Sequence, residues 1–287
     1  MPPPLVKRVL PLLFLLALRA PAQELVRGPE GFTERPGFGT RKGIATAIAG
    51  TVFIGTAADF YFSWWANASK PFSFFTEHWL GGSHRGIDKI GHLFGTNVVF
   101  SSVRNTLLWG GYDRRTALWV SAGMAMFSAV EIEVGDGFSP YGFDYQDLLW
   151  GMAGISYGML QSEIPLLRNF NWKFSYFTNK GFKTPAAFIE DYDAMTIWCS
   201  VNVHNLLPGA VRKYWPEFIN LAVGMGVTDN ETRREFILGI DINLEGFHTG
   251  SEDLLFAQKT LNLLRVPAPA VVWTEGKKPY SKGFYVK

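Results

Sequence analysis

The amino-acid sequence predicts an α+β protein, with an apolar helical unit of about four helices followed by a β-containing C-terminal half. Three observations carry that expectation. Four apolar segments of helical length lie between Gly43 and Ile164. Beyond Pro165 the apolar residues fall into short alternating or β-branched runs. Aromatic residues reach 15% and charged residues only 18%, yet mean hydropathy is just +0.06. The apolar character must therefore be concentrated in one part of the chain.

Residues 1–22 read as a secretory signal. Lys7 and Arg8 form a basic start, Leu10 to Leu18 a short apolar stretch, and Ala20-Pro21-Ala22 a small-residue cleavage pattern. That stretch is too short to span a bilayer. No cysteine follows the cleavage position, which argues against lipid anchoring there. Residues 23–42 read as a polar leader. In the helical unit, 43–165, Gly43 to Trp65 is the most apolar segment and long enough to span a membrane. Its far end, Phe60-Tyr61-Phe62 with Trp64-Trp65, suits an aromatic interface anchor. Further helices are expected from Ile87 to Trp109, Arg115 to Val134 and Tyr145 to Ile164. Asp144 and Asp147 are placed as cap and first-turn acid of the last one, and Pro165 ends it. The pairs Gly91/Gly95 and Gly154/Gly158 have the spacing that lets helices approach closely.

The region 166–287 is expected to pack on this unit with strands at Trp172–Phe177, Met195–Val203, Phe218–Val227 and Glu235–Leu244. Gly224-Met225-Gly226 and Asp229-Asn230 read as turns. Val266 to Lys287 shows no clear element. The lone cysteine, Cys199, excludes an internal disulfide and reads as a small buried hydrophobe.

A net charge of +2, from 27 basic and 25 acidic residues, leaves no electrostatic footprint for nucleic acid. No phosphate loop, zinc ribbon or dinucleotide fingerprint is present. Ser83 and Ser139 lack the setting of a nucleophile. His84, His204 and His248 stand without nearby ligand spacing and read as solvated or packed. The sequons Asn67-Ala68-Ser69 and Asn230-Glu231-Thr232 matter only in a eukaryotic secretory path.

What remains is a polar set within apolar helices. Asp88 and His92 are one helical turn apart on one face. Glu133 and Asp136 share a face at the end of the third helix, and Asp147 opens the fourth. Up-down packing would bring all five to one end of the unit. There they could hold a divalent metal ion through oxygen ligands and one imidazole, or run acid-base chemistry with His92 as ligand or base. Alternatively Lys89 pairs with a carboxylate, the aspartates cap helices, and the cluster is a structural lock.

At these residues the chain resembles the YfiM-like family of predicted periplasmic proteins and lipoproteins, a domain of unknown function. The carrying motifs are Asp88-Lys89-Ile90-Gly91-His92, Glu133-Val134-Gly135-Asp136-Gly137-Phe138-Ser139, Tyr141-Gly142-Phe143 and Asp147. In the second half they are Lys173-Phe174-Ser175-Tyr176, Asp191-Tyr192, Thr196-Ile197-Trp198 and Asn220 to Gly224, with Pro267-Ala268-Pro269 near the end. A looser likeness extends to VanZ-like membrane proteins. The resemblance implies a shared polar constellation and an envelope location, with no reaction attached. Two positions depart from the pattern, which has Ser at the place of Asp144 and Asn at that of Gly151.

The expectation is an exported bacterial envelope protein in contact with membrane lipid, with no nucleic acid as partner and no protein partner in the envelope identified by the sequence. Its location is periplasmic or outer-membrane associated, because a cleaved signal would leave Arg35, Arg41 and Lys42 on the wrong side of an inner-membrane span; the inner membrane is the alternative. The first functional reading is a structural or assembly role. The second is a metal-assisted or acid-base enzyme acting on a lipid or cell-wall component.

Overall fold

A computed structural model describes residues 31–35, 37–68, 70–76, 81, 82, 84–178 and 189–287. The signal, residues 23–30 and 36 of the leader, and Ser83 lie outside the described residues. The fold is α+β, with helices first and strands after. The chain divides into two compact units. One is Phe32–Met159 with Thr178–Ala194, here the helical unit. The other contains Leu160–Phe177 and Met195–Lys287, here the sheet unit.

Four long helices build the first part of the chain: α1 (Thr40–Phe60), continued by a wider π-helical turn Tyr61–Trp65, α2 (Ile87–Gly110), α3 (Arg114–Gly137) and α4 (Tyr145–Glu163). α3 starts where Asp113 accepts a hydrogen bond from the Thr116 amide at 2.8 Å, an N-cap that satisfies one orphan donor of the first turn. α2 is central. Its Val103, Leu107 and Leu108 pack with Ala49 of α1 and Ala117 of α3, and its Phe100 with Ala122, Ala125 and Ile155 of α3 and α4. The Arg35 amide donates to the Gly111 carbonyl at 2.9 Å, which sets the start of α1 beside the end of α2.

The two glycine pairs separate. At Gly154 a Cβ would lie 2.0 Å from the Leu93 carbonyl oxygen, and at Gly158 2.4 Å from the Phe100 ring, so α4 does approach α2 through them. Around Gly91 and Gly95 nothing among the described residues lies within 4 Å of that position. Their expected role in helix contact is corrected: among the described residues, no neighbouring helix approaches them.

The sheet unit holds six antiparallel strands in sequence order among the described residues: β1 (Phe170–Tyr176), β2 (Met195–Val201), β3 (Ile219–Thr228), β4 (Arg233–Ile242), β5 (Ala268–Thr274) and β6 (Tyr280–Tyr285). Short helices α5 (Val203–Leu206) and α6 (Gly209–Arg212) join β2 to β3, and α7 (Glu252–Leu261) precedes β5. Three expectations are corrected. The stretch after Val266 forms the hairpin β5–β6. α7 is a helix that went unread: Ser251 caps it weakly at 3.4 Å, and none of its residues is buried, so its apolar signal was faint. Gly224 and Gly226 lie within β3 and make no turn; a Cβ on Gly224 would stand 2.7 Å from the Trp198 ring. The β3–β4 turn is made instead by Asp229, Asn230 and Glu231, all with φ between 55° and 62°.

One face of the sheet buries Trp198, Ala222, Ile237, Ala270, Val272 and Tyr285. The Arg265 guanidinium lies 4.1 Å over the Trp198 ring. The same interior holds a buried ion pair, Lys173 to Asp241 at 2.8 Å. Lys173 also donates to the Ile242 carbonyl at 2.9 Å and to Asn262 Oδ1 at 2.7 Å. Ser200 donates to Asp241 at 2.6 Å. Burial holds the Lys173 amine below its usual value against the pull of Asp241. Cys199 sits partly exposed on β2, and its apolar surroundings push the thiol up to about 11, leaving it inert near neutrality.

Candidate functional site

The first turns of α2 carry Asp88, Lys89 and His92; the last turns of α3 carry Glu133 and Asp136; the start of α4 carries Asp144 and Asp147. Antiparallel packing of three helices brings these ends together within the helical unit. Lys89, 2% exposed, extends its ammonium to Asp147 Oδ1 at 2.6 Å, Asp144 Oδ2 at 2.9 Å and Asp88 Oδ2 at 3.3 Å. Asp144 also caps α4, accepting from the Gln146 amide at 2.8 Å.

The imidazole of His92 stands between three carboxylates without a hydrogen bond to any. Its Nε2 is 3.7 Å from Asp88 Oδ1 and 3.8 Å from Asp147 Oδ2, and its Nδ1 is 3.7 Å from Glu133 Oε1. Hydrogen bonds to nitrogen close to about 2.7–3.2 Å, so these gaps are open contacts. Ligand atoms of Asp88, His92 and Asp147 all lie within 4.8 Å of one another. Glu133, 2% exposed, accepts from the Asp144 amide through Oε2 at 3.0 Å. Its Oε1 has no hydrogen-bond partner among the described residues and faces His92.

Asp136 belongs to the same end but is engaged differently. Its Oδ1 accepts from the Trp65 indole at 2.9 Å. Gly135 permits that approach, since a Cβ there would fall 2.2 Å from the Trp65 ring. Around the cluster, Ser73 donates its amide to the Gly137 carbonyl at 2.8 Å and accepts from the Phe143 amide at 2.9 Å. The aromatic segment Phe72–Phe75 is thereby tied to the α3–α4 connection.

Sequence reasoning named Tyr192 only as part of the resemblance and did not place it in the site, where its hydroxyl donates to Asp88 Oδ1 at 2.7 Å. It also read Trp65 only as an interface anchor. Neither carries a local signal, because Tyr192 and Trp65 stand 104 and 71 residues from their partners. Gly151 has a physical account: its carbonyl accepts from Thr96 at 2.7 Å, and a Cβ there would already be 3.2 Å from the Thr96 methyl, so an asparagine would not enter without displacement. Beside the site, His84 packs at 5.0 Å against the Tyr192 ring. His204 and His248, read as lacking ligand partners, share Glu217: His204 Nε2 is 3.3 Å from its Oε1, and His248 contacts its Oε2.

The cluster is rich in carboxyl groups. Asp88, Glu133, Asp136, Asp144 and Asp147 gather around the Lys89 ammonium and the His92 imidazole. Buried carboxylates without compensating charge are costly, so such a group is stabilised by protonation or by an added cation.

Residues 76–163 match the model of a family described as predicted periplasmic lipoprotein, DUF2279. No curated protein matches the chain, and no solved structure does. The matched span contains Asp88, Lys89, His92, Glu133, Asp136, Asp144 and Asp147, and it supports an exported, periplasmic protein of the cell envelope.

Proposed function

We propose that this chain is a membrane-associated envelope protein whose helical unit holds a divalent-cation-assisted acid-base centre acting on a lipid or cell-wall component. The observation that carries the reading is the trio Asp88, His92 and Asp147, with ligand atoms within 4.8 Å of one another. Glu133 supports it, as a 2% exposed carboxylate turned toward His92 with an oxygen that no described group occupies. One imidazole with oxygen donors suits a hard or borderline divalent ion rather than a closed structural zinc site. Asp88, His92 and Asp147 would be the ligands. Glu133 would orient His92 through Nδ1, as carboxylates commonly do beside a ligating imidazole. Tyr192 would fix Asp88, and Trp65 would fix Asp136 at the edge of the centre. When bound, the ion would polarise a substrate oxygen or activate water.

The test is the metal content of purified protein by mass spectrometry, with thermal stability recorded as Mg²⁺, Mn²⁺ and Zn²⁺ are added. The expected result is a bound ion and a saturable rise in melting temperature, both lost in His92→Ala and Asp147→Asn proteins that remain folded. Equal metal content and equal metal response in wild type and both folded variants would refute it.

A second reading, a non-catalytic structural or assembly role with the cluster as a lock between helices, is favoured by one observation. Lys89 reaches three carboxylates on two helices. Under that reading Asp147→Asn, which weakens the Lys89 contact, loses stability whether or not metal is added, and His92→Ala changes neither metal content nor metal response.

A further inference from the structure

We infer that the helical unit is embedded in bilayer hydrocarbon, with α1, α3 and α4 facing acyl chains and the acidic cluster level with one headgroup layer. This extends the membrane association proposed above and is independent of the cation centre.

The distribution of side chains is the reverse of that in a water-solvated bundle. Polar groups sit at the middle: Thr96 and Asn97 of α2 are buried and donate to the Gly151 and Gly154 carbonyls of α4 at 2.7 and 3.1 Å, and Ser121 of α3 is fully buried. The exposed positions are apolar: Val52 and Ile54 on α1, Trp119, Phe127 and Val130 on α3. Leu149 and Met152 continue the pattern on α4. Water would leave this surface uncovered on three helices at once. Contiguous apolar patches beyond a few hundred Å² mark a partner surface. These helices pack around α2, so one face-to-face contact with a second copy would not cover all three.

Length and flanks identify the partner as a bilayer. Thr40–Trp65 has 26 residues and Arg114–Gly137 has 24, with only 17% and 28% of their apolar windows buried. At 1.5 Å per residue each reaches about 36–39 Å, enough for a hydrocarbon core of about 30 Å. No charged residue occurs from Gly43 to Ala58 or from Thr116 to Val130. Beyond those stretches the flanks change. At one end Arg41 lies 4.8 Å over the Trp109 ring and Lys42 5.1 Å over Tyr112, beside exposed Arg114 and Arg115. At the other, Tyr61, Phe62, Phe74, Phe138 and Tyr141 are exposed. Basic residues complement anionic headgroups, and aromatic rings favour the interface. The cluster of Asp88, His92 and Asp147 belongs to the aromatic end, where a headgroup is within reach and acyl chains are not.

The experiment uses the full chain with Cys199→Ala, carrying single cysteines at Val52, Val130, Arg115 or Leu254. Each is spin-labelled and reconstituted into vesicles of phosphatidylcholine and phosphatidylglycerol. The expected result is loss of collision with a water-soluble nickel chelate, and gain of collision with oxygen, at Val52→Cys and Val130→Cys only. Leu254→Cys, on exposed α7, should stay chelate-accessible, and Arg115→Cys should fall between. Chelate access at Val52→Cys and Val130→Cys on vesicle-bound protein would overturn embedding and leave association standing. Failure to bind vesicles would overturn both. Protein that stays a defined oligomer without lipid or detergent, with both labels shielded, would assign the surface to a second copy and refute the inference.

Discussion

Lys89 places an ammonium, 2% exposed, among three carboxylates of two helices. Removing one partner from a buried ionic set leaves charge without compensation, which costs about 3–5 kcal/mol. Lys89→Met is therefore expected to destabilise the helical unit by that amount in denaturant unfolding, and a loss under about 1 kcal/mol would show the carboxylates to be solvated instead. His92 should behave differently. Its three carboxylate contacts are all 3.7 Å or longer, so His92→Ala removes little direct bonding and tests binding rather than folding. This difference between neighbours one turn apart distinguishes a side chain held by ion pairs from one in open contact. At this scale the sequence was legible where partners are near. The Asp88–His92 spacing follows from helical periodicity alone. The Tyr192–Asp88 and Trp65–Asp136 bonds do not, because 104 and 71 residues intervene.

At the scale of elements, helices were easier to read than the strands after them. Long apolar segments ending in Gly, Asp or Pro mark helices directly, and α1 to α4 lie close to their expected spans. The hairpin β5–β6 was hidden by its composition, since Pro, Gly and Lys interrupt the alternation that marks a strand. The helix-spacing glycines show what a motif leaves undecided. Gly95 is exposed with no described residue within 4 Å of an added Cβ, whereas Gly154 lies against Leu93 and Thr96. Gly95→Ala should therefore stabilise by about 0.5–1 kcal/mol, the difference in helix propensity. Gly154→Ala should destabilise by about 1–3 kcal/mol, as added methyl groups do in a filled interior. Thermal unfolding of both variants checks the pair, and equal responses would contradict the packing described.

At the scale of the molecule, the two units are held by different means. The helical unit buries small and polar residues between helices, while the sheet unit buries aromatic rings and a charged network. The acid limit of stability should reflect the latter. Burial pushes the Glu245 carboxyl up, but Lys259 at 2.5 Å and Asn262 at 3.2 Å outweigh it, so the pKa falls below the ordinary 4.5. A carboxyl lowered by folding contributes stability above its unfolded pKa and loses it as pH falls through the folded one. Melting temperature should thus drop below about pH 4.5 in wild type, and less steeply in Glu245→Gln. Parallel profiles for the two proteins would refute that assignment.

Sequence by itself determined the order of helices before strands, the approximate spans of the four long helices and the face shared by Asp88 and His92. Those features follow from residue periodicity and backbone preference, which act over a few positions. Tertiary structure decided which carboxylates Lys89 meets, that Glu133 turns one oxygen toward His92, and that Trp65 and Tyr192 join the cluster. It also decided that Gly154 and Gly158 bring helices together while Gly91 and Gly95 do not. These outcomes depend on how separated segments pack, where one ångström of approach distinguishes a contact from a clash, and no local pattern records that distance.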